Sequence, residues 1–296
     1  MNGNHSFLGS NVALITPMFD DGEVDYASLE KLIDFHVEAG TTSIVSVGTT
    51  GESATLGVHE HLQVVGHTIE YAAKRIPVIA GTGANSTSEA IELTQEAKNL
   101  GADACLLVTP YYNKPTQEGL YQHFKLIAET VDIDQLLYNV PGRTAVDMSV
   151  ETTLRLAEIE NIIGIKDATG DLRVIKQLVE HCPEGFILLT GDDATALDFI
   201  LCGGHGGISV TANVVPKELQ KVYLSAMSGN SDLAKELNKK LENLHNNLFL
   251  EANPIPVKWA LHTMGKCHKG IRLPLLMLSE EYQSVILTDL EKLGLV

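Results

Sequence analysis

Ile162-Ile163-Gly164-Ile165 is a continuous apolar run that ends in Lys166 and is followed by the turn Asp167-Ala168-Thr169-Gly170. A short apolar run of this kind is typical of a strand buried on both faces of a parallel sheet. Similar runs alternate along the chain with longer segments of helical period, as in repeated strand–helix units. Eight strands are predicted, at Asn11–Thr16, Ser43–Val47, Pro77–Ala80, Cys105–Thr109, Gln135–Tyr138, Ile162–Lys166, Ile187–Thr190 and Gly206–Val210.

The segments between these runs carry signals for the start and the end of helices. The predicted start signals are Asp25 before Tyr26–Ala39, Ser86 with Glu89 as a capping box, and Ser149 with Thr152. The predicted left-handed end residues are Gly40, Gly101 and the Gly203-Gly204 pair. Strands and helices that alternate eight times close most simply into a (β/α)8 TIM barrel, which is an α/β fold.

The pattern changes after the last predicted strand, where only helical periodicity remains. The helices predicted there are Pro216–Ser228, Asp232–Leu248, Pro254–His262 and a last stretch near Glu280–Leu293. No low-complexity linker precedes them, so we expect this C-terminal helical extension to pack on the barrel or against a partner subunit. The predicted division is a catalytic barrel at 1–214 and a helical appendage at 215–296.

The composition excludes several classes of protein. The 296 residues include 38 acidic and 21 basic ones, and the formal net charge of −17 repels the phosphates of a nucleic acid. Met1–Ser6 has no positive region followed by an apolar stretch, and no later apolar run approaches the roughly 18 residues of a membrane helix. A cytoplasmic protein without nucleic-acid or membrane partners is therefore expected. The widely spaced cysteines are predicted to be reduced thiols: Cys105, Cys182, Cys202 and Cys267.

Two clusters resemble metal sites without the features that such sites need. His59-Glu60-His61 lacks the i, i+4 histidine spacing that puts two ligands on one helix face. Asp192-Asp193 follows the seventh strand, where such a pair more often caps the next helix. The glycines at 203–207 resemble a phosphate cradle but precede the eighth strand, at the face of the barrel opposite the site. Neither a metal nor a cofactor is predicted.

In a TIM barrel the active site lies at the carboxyl ends of the strands. The strand ends that carry reactive side chains are Gly48-Thr49-Thr50-Gly51-Glu52-Ser53, Thr109-Pro110-Tyr111-Tyr112, Tyr138-Asn139-Val140-Pro141-Gly142-Arg143 and Lys166-Asp167-Ala168-Thr169-Gly170. These segments bring hydroxyls, phenols, a guanidinium and an amine to one face of the barrel.

Lys166 is the candidate nucleophile at this face. Its stem would enter the barrel behind an apolar strand, where desolvation favours the neutral amine that attacks a carbonyl to give an imine, or Schiff base. The alternatives are a lysine that extends along the barrel rim into water and a lysine paired with Asp167.

The neighbouring strand ends indicate what such an imine would react with. Tyr138 could pass protons, and Thr49 and Thr50 lie in a glycine-flanked turn that suits a carboxylate. Arg143 has the fork geometry to hold a second carboxylate. Each also has an ordinary interpretation, as a core tyrosine, a structural turn or a solvated loop arginine. In combination these residues predict the condensation of two small acids.

Several longer motifs follow one another in a fixed order. They are Gly48–Ser53, Val108–Asn113, Tyr138–Thr144 and Gly164–Gly170, continued by Gly191-Asp192-Asp193, Gly206–Asn213, Asn253–Lys258 and Arg272-Leu273-Pro274. In these motifs the chain resembles the 4-hydroxy-tetrahydrodipicolinate synthase (dihydrodipicolinate synthase) family. That family is one of the pyruvate-dependent class I aldolases related to N-acetylneuraminate lyase. The likeness extends over nearly the whole chain.

The resemblance implies that Lys166 forms the imine with pyruvate, whose carboxylate rests on Thr49 and Thr50. The derived enamine would attack L-aspartate-4-semialdehyde, whose carboxylate Arg143 would hold. Ring closure would release the lysine and give 4-hydroxy-tetrahydrodipicolinate. This lyase reaction is the committed step of diaminopimelate and lysine biosynthesis.

The resemblance also implies a proton relay of Tyr138, Thr49 and Tyr112, in which Tyr112 reaches in from the neighbouring subunit. Gly191 and Ile208 are implied as further substrate-binding residues. A dimer would be the minimal active unit, and a homotetramer, a dimer of dimers, is usual for the family.

Many bacterial members are inhibited by lysine at a cleft between subunits. The matching positions are Ser53, Ala54, His61, Asn85, Glu89 and Tyr111. Val58 departs from the histidine that lysine-sensitive forms often carry. We therefore expect allosteric lysine inhibition through Glu89 and Asn85, and we expect it to be weak.

Two other interpretations of the chain are open. An N-acetylneuraminate lyase would share the barrel, the lysine and the tyrosine, but it usually has serine where Thr49 stands. A catalytically silent paralogue, which binds a ligand or regulates, would be expected to have lost Lys166, Tyr138 or Arg143. All three are present.

Overall fold

Eight parallel strands form the centre of the computed structural model, which describes residues 7–296. They are β1 (Gly9–Ala13), β2 (Ile44–Ser46), β3 (Val78–Gly81), β4 (Ala104–Val108), β5 (Gln135–Asn139), β6 (Ile162–Asp167), β7 (Ile187–Thr190) and β8 (Gly206–Ser209). Each strand pairs with the next, and β8 pairs with β1, so the sheet closes on itself. The predicted (β/α)8 TIM barrel is confirmed. The stretch Met1–Ser6, predicted not to be a leader, lies outside the described residues.

The largest shift between a predicted and an observed strand is at β1. The apolar run predicted Asn11–Thr16, whereas the strand is Gly9–Ala13. At the end of β1 the side chain of Asn213 takes over hydrogen bonds that a neighbouring strand would otherwise make with the backbone. It accepts from the Ile15 amide at 3.2 Å and donates to the Ala13 carbonyl at 2.8 Å. The chain therefore leaves the ladder earlier than its hydrophobicity predicts.

Helices surround the barrel and continue after it. They are α1 (Tyr26–Ala39), α2 (Val58–Ala72), α3 (Thr87–Leu100), α4 (Gln117–Thr130), α5 (Pro141–Thr144), α6 (Val150–Ala157), α7 (Leu172–His181), α8 (Ala196–Leu201), α9 (Pro216–Met227), α10 (Ser231–Lys239), α11 (Glu242–Asn247), α12 (Ile255–Thr263) and α13 (Glu280–Lys292). Short 3₁₀ turns lie at Ser53–Thr55 and Thr211–Asn213.

Most of the predicted helix caps are present. The Asp25 side chain accepts from the Ser28 amide at the start of α1. The Ser149 side chain accepts from the Thr152 amide at the start of α6. The predicted glycines at the helix ends have positive φ: Gly40, Gly101 and Gly203.

Two helix predictions are wrong. The capping box at the start of α3 does not form, because the Ser86 hydroxyl pairs with that of Ser88 at 3.0 Å and makes no cap hydrogen bond. The single helix predicted at Asp232–Leu248 is interrupted between α10 and α11. There the Leu241 amide donates to the Asn238 carbonyl at 2.8 Å, a tighter turn that buries the leucine side chain.

The C-terminal appendage packs directly on the barrel. Gln220 of α9 accepts from the Ser10 amide of β1 at 2.8 Å. Leu219 and Val222 of α9 belong to the same buried cluster as Val12 of β1. The predicted boundary between residues 214 and 215 falls in the turn before α9, and the division into two domains stays a prediction.

Alternate strand residues fill the interior of the barrel. Leu136 and Tyr138 of β5 belong to the interior cluster, together with Leu189 of β7 and Ile208 of β8. Lys166 lies opposite Tyr138 in the register of β5 and β6. Its amine is therefore at the carboxyl end of the barrel, above the packed interior.

The cysteines are free thiols, as predicted. Cys105 and Cys267 are buried, whereas Cys182 and Cys202 are half-buried. From Phe7 to Val296, no helix combines the length and the apolar character that a membrane crossing requires.

Candidate active site

Lys166 is buried at the end of β6 and faces an aromatic ring. Its side chain is 6% exposed, and its amine lies 4.2 Å from the centre of the Tyr138 ring. Burial lowers the pKa of Lys166 to about 7; the Asp193 carboxylate opposes this shift, and the Arg143 guanidinium adds to it. Near neutral pH this lysine is an amine available for nucleophilic attack.

The two alternatives for Lys166 are wrong. A lysine extended along the rim would be exposed, and this one is not. The Asp167 carboxylate points away from the amine, because successive residues of a strand face opposite sides of the sheet. It accepts from the Thr169 hydroxyl at 2.5 Å and from the Asn139 amide at 3.3 Å.

Gly191 makes room for the lysine at the end of β7. Its amide donates to the Asp167 carbonyl at 2.7 Å, which draws the backbone close to β6. A Cβ atom at Gly191 would lie 2.5 Å from Lys166 Cε and 3.0 Å from Ala168 Cβ. A side chain here would therefore displace the lysine stem.

The predicted strand ends converge on one cavity of about 110 Å³. Its lining includes the predicted residues Thr49, Thr50, Tyr138, Arg143, Lys166 and Gly191, together with Val210, Phe249 and Asn253. The side chain of Ile208 does not line it and packs in the barrel interior. Phe249 and Asn253 come from the appendage, and reasoning from strand ends did not identify them. The motif at 253–258 includes Asn253, whereas no sequence motif pointed to Phe249.

Asn253 links the two predicted carboxylate-holding elements. The side-chain amide of Asn253 donates to the Thr50 hydroxyl oxygen at 2.9 Å, and its backbone carbonyl accepts from the Arg143 guanidinium at 3.1 Å. Because the Thr50 oxygen accepts from Asn253, its own proton is left to donate to a ligand. A hydroxyl donor and a cation therefore meet at the mouth of the cavity.

Tyr138 is placed to move protons at the lysine. Its side chain is 6% exposed, and its hydroxyl is within hydrogen-bonding reach of Thr49. Burial raises the pKa of Tyr138, while Arg143 and the Thr49 hydrogen bond oppose the shift. The phenol is therefore a neutral group that can both donate and accept.

A second cavity of about 280 Å³ adjoins the first and shares Thr49, Val140 and Arg143 with it. The predicted lysine-binding residues on its lining are Ser53, Ala54, His61, Glu89 and Tyr111, with Val58 beside them. Asn85 reaches it indirectly, since its amide donates to the Tyr111 carbonyl at 3.2 Å. The two sets of predicted residues are therefore contiguous.

Tyr112 lies apart from both cavities of its own chain. Its side chain is 88% exposed, and its backbone has a φ of +74°, in the left-handed region. A bulky residue rarely adopts that conformation unless the surroundings favour it. The conformation projects the phenol outward from the loop after β4.

The two clusters considered for a metal have other partners. Glu60 receives two hydrogen bonds of 2.6 Å from Arg272, and His61 is bound to the Gly81 carbonyl at 2.7 Å. Asp192 accepts from the amide and the hydroxyl of Thr195, the residue before α8, and Asp193 accepts from the Val210 and Thr211 amides at 2.9 Å. The predicted capping of the next helix by this pair is wrong, because neither carboxylate binds an amide of α8. Within residues 7–296, no three ligand side chains are grouped as a metal site requires.

Known proteins with this sequence pattern share both its length and its fold. Residues 6–293 match the group described as the Dihydrodipicolinate synthetase family. The 4-hydroxy-tetrahydrodipicolinate synthase of Ruthia magnifica subsp. Calyptogena magnifica is 63% identical over 296 residues, which are 100% of both chains. A crystal structure of dihydrodipicolinate synthase from Acinetobacter baumannii, complexed with pyruvate, is 58% identical with a TM-score of 0.97 and covers 98% of this chain and 100% of that one.

A third relative carries a different ligand. The enzyme from Cyanidioschyzon merolae, solved with lysine bound, is 38% identical with a TM-score of 0.95, and the match covers 98% of this chain and 99% of that one. The relatives reported above are all named as synthases, which favours that activity over a sugar-acid lyase. The chain therefore belongs to the dihydrodipicolinate synthetase family.

Proposed function

We propose that this chain condenses pyruvate with L-aspartate-4-semialdehyde to give 4-hydroxy-tetrahydrodipicolinate, and that Lys166 carries the reaction. The observation behind this is the buried Lys166 amine, whose pKa is lowered to about 7. A large share of such an amine is unprotonated near neutral pH, and this is the form that attacks a ketone. The reaction makes the chain a lyase of the Schiff-base aldolase type.

The first half of the reaction joins the lysine to pyruvate. The carboxylate of pyruvate rests on the Thr49-Thr50 turn, which brings its ketone carbon to the Lys166 nitrogen. The nitrogen attacks this carbon, and the carbinolamine loses water to leave an imine. Tyr138 passes the protons, because its ring lies beside the amine and its hydroxyl reaches Thr49.

The second half forms the carbon–carbon bond and closes the ring. The protonated imine withdraws electrons, so the methyl group loses a proton and an enamine forms. Its carbon attacks the aldehyde of the semialdehyde while Arg143 holds the carboxylate through two hydrogen bonds. The substrate amine then attacks the imine carbon and releases Lys166. Gly191, which lines the same cavity, completes the proposed contacts to substrate.

Tyr112 is proposed to complete the proton relay in the neighbouring subunit. The exposed phenol outside the cavity of its own chain supports this, because it leaves the side chain free to reach another. A dimer is then the minimal active unit, and we propose a homotetramer built as a dimer of dimers. The cytoplasm is the proposed location for this biosynthetic reaction.

The second cavity is proposed to bind lysine as a feedback inhibitor. Glu89 would bind the amino group, and the Tyr111 loop held by Asn85 would close over the ligand. Val58 contributes no hydrogen bond at the wall of this cavity, which supports weak binding. Thr49 and Arg143 line both cavities, so a ligand in one contacts residues of the other.

Reductive trapping tests the proposed nucleophile and the first substrate together. Borohydride converts an imine to a stable amine, so the protein treated with pyruvate should gain one covalent adduct at Lys166, read by intact mass and peptide mapping. Lys166→Ala is the control and should stay unmodified. An unmodified wild type, or an adduct that persists in the alanine variant, contradicts the mechanism.

A coupled assay tests the second substrate. Pyruvate should be consumed with L-aspartate-4-semialdehyde and not released from N-acetylneuraminate. Release of pyruvate from the sugar acid alone would show the lyase instead.

A further inference from the structure

A buried ion pair joins the appendage to the turn that carries Thr49 and Thr50. The Lys258 amine, on α12, donates to the Glu52 carboxylate, and the two side chains are 1% and 0% exposed. Glu52 directly follows the proposed carboxylate-binding residues and the glycine after them. Neither charge has a role in the reaction steps described above.

The turn itself has a strained backbone. Val47 and Glu52, at its two ends, have φ of +53° and +60°, which are unfavourable for side chains of this size and most unfavourable for a β-branched one. A Cβ atom on Gly51 would lie 2.9 Å from Val47 Cα, so the two ends of the turn are in contact. Such a conformation persists only where the surroundings hold it in place.

The contacts that hold the turn come largely from the appendage. The second oxygen of Glu52 accepts from the Arg272 amide at 3.2 Å. The Arg272 guanidinium donates to the Thr55 carbonyl at 3.0 Å, just beyond the turn. Asn253 donates to the Thr50 hydroxyl. The turn is therefore anchored at several points to residues of the last fifty positions of the chain.

An ion pair in this position is not explained by stability alone. Burying two charges costs hydration energy that their attraction only partly offsets. Well-packed apolar residues in the same place often stabilise a fold to the same extent or more. Burial lowers the pKa of Lys258, and Glu52 opposes that shift. Unlike apolar residues, the ion pair makes a directional contact, which fixes the Glu52 carboxylate in one place.

We propose that Lys258 and Glu52 are positioning residues for the carboxylate of the first substrate. The ion pair holds Glu52 in its left-handed conformation, and the turn then presents the Thr49 and Thr50 donors to the cavity. This role rests on the proposed function, which places pyruvate on that turn. Neither side chain touches the substrate.

The test compares pyruvate affinity with the later steps. The double variant Glu52→Gln/Lys258→Met removes both charges, so no lone buried charge is left to unfold the protein. Half-saturation of borohydride trapping by pyruvate, and the steady-state KM for pyruvate, should rise about tenfold. The KM for the semialdehyde and kcat at saturating pyruvate should stay within about threefold.

The control separates positioning from loss of stability. Leu156→Ala removes a buried side chain of α6, away from the turn, and lowers the melting temperature without touching the site. It should leave the KM for pyruvate unchanged. Glu52→Asp, which keeps both charges and shortens the side chain by one methylene, is the second variant should the double variant not fold, and it should also raise the KM for pyruvate.

The outcomes are distinguishable. If the double variant folds and its KM for pyruvate equals that of the wild type, the positioning role is overturned. The proposed function still stands in that case, because the wild type forms its adduct. A rise in KM for both substrates, or one that Leu156→Ala reproduces, also overturns it, since the effect is then general. Failure of the wild type itself to form the adduct overturns the proposed function instead.

Discussion

The Lys166 amine lies 4.2 Å from the centre of the Tyr138 ring, and the two residues are opposite one another in the register of β5 and β6. The ring shields the amine from water on one side, while the phenol hydroxyl extends to Thr49. A cation over an aromatic face is attracted by the ring. The Tyr138 ring, which excludes water from one side of the amine, therefore also favours the protonated imine that forms there.

Tyr138→Phe separates these two roles, because it keeps the ring and removes the hydroxyl. We expect kcat to fall by about 10²- to 10³-fold, as for the loss of a general acid–base group. Trapping with pyruvate should become slower but still occur at Lys166. Tyr223→Phe is the matched control, since that hydroxyl is also buried but has no hydrogen-bonding partner among the described residues. Equal losses in both variants would show that the phenol of Tyr138 has no special role.

Lys166→Met should make the protein inactive and more stable. Burial lowers the pKa of the lysine from 10.5 to about 7, which corresponds to a penalty on the order of 5 kcal/mol when the amine must be protonated. The penalty is full below pH 7, falls as the pH rises from there, and is gone above 10.5. The melting temperature of the variant should therefore exceed that of the wild type most at pH 6 and least at pH 9.5.

The control for this comparison is Lys176→Met, which changes an exposed lysine of α7. It should shift the melting temperature little at either pH. A gap between Lys166→Met and the wild type that does not narrow as the pH rises would count against the lowered pKa. The same pKa predicts that the rate of imine formation with pyruvate increases through about pH 7.

Gly191→Ala should leave the barrel folded and disable the lysine. The new Cβ atom would lie 2.5 Å from Lys166 Cε, so the stem must move away from the cavity. Because misplacement of a reacting group by about 1 Å can cost about 10²-fold, we expect trapping by pyruvate to slow by at least that factor. Gly57→Ala is the control, since its Cβ atom would meet nothing within 4 Å. Normal trapping in Gly191→Ala would contradict the steric account.

Lysine should inhibit the enzyme weakly, and Val58 should be one reason. Initial rates at saturating pyruvate, with lysine titrated to millimolar concentrations, give the half-inhibiting concentration. Val58→His should lower it, because the imidazole adds a hydrogen-bonding group to the cavity wall. Glu89→Gln should raise it by removing the charge that binds the ligand's amine. No inhibition of the wild type at these concentrations would exclude this use of the cavity.

The barrel and most of its site follow from local patterns in the sequence. Each strand is a short apolar run next to a helical segment, and the chemistry lies at the strand ends, so Lys166, Tyr138 and the threonine turn could be placed without coordinates. Ile208, which the family resemblance implied as a substrate contact, shows the limit of transferring a role to a single residue. It lies on a strand at the right depth, but its side chain packs into the interior, and Val210 lines the cavity instead.

The contacts that complete the site could not be read from local patterns. Asn253 meets Thr50 across 203 positions of sequence, and Lys258 meets Glu52 across 206. Such contacts depend on how the appendage folds back over the barrel. Helical periodicity predicts that a segment is a helix, but it does not predict which part of the barrel the helix packs against. The Ser86 cap failed for a local reason instead, since the hydroxyl of Ser88, two residues away, competed for the side chain.

Asn253 and Phe249 line the cavity from the far end of the chain, although the lysine and all the barrel strands precede residue 215. During synthesis the nucleophile therefore emerges from the ribosome well before the pocket that gives it a substrate. A polypeptide cut short before Phe249 would carry the reactive amine with an unfinished binding site. Binding of the substrate is thus coupled to completion of the chain, and a fragment that ends before Phe249 should form little imine with pyruvate.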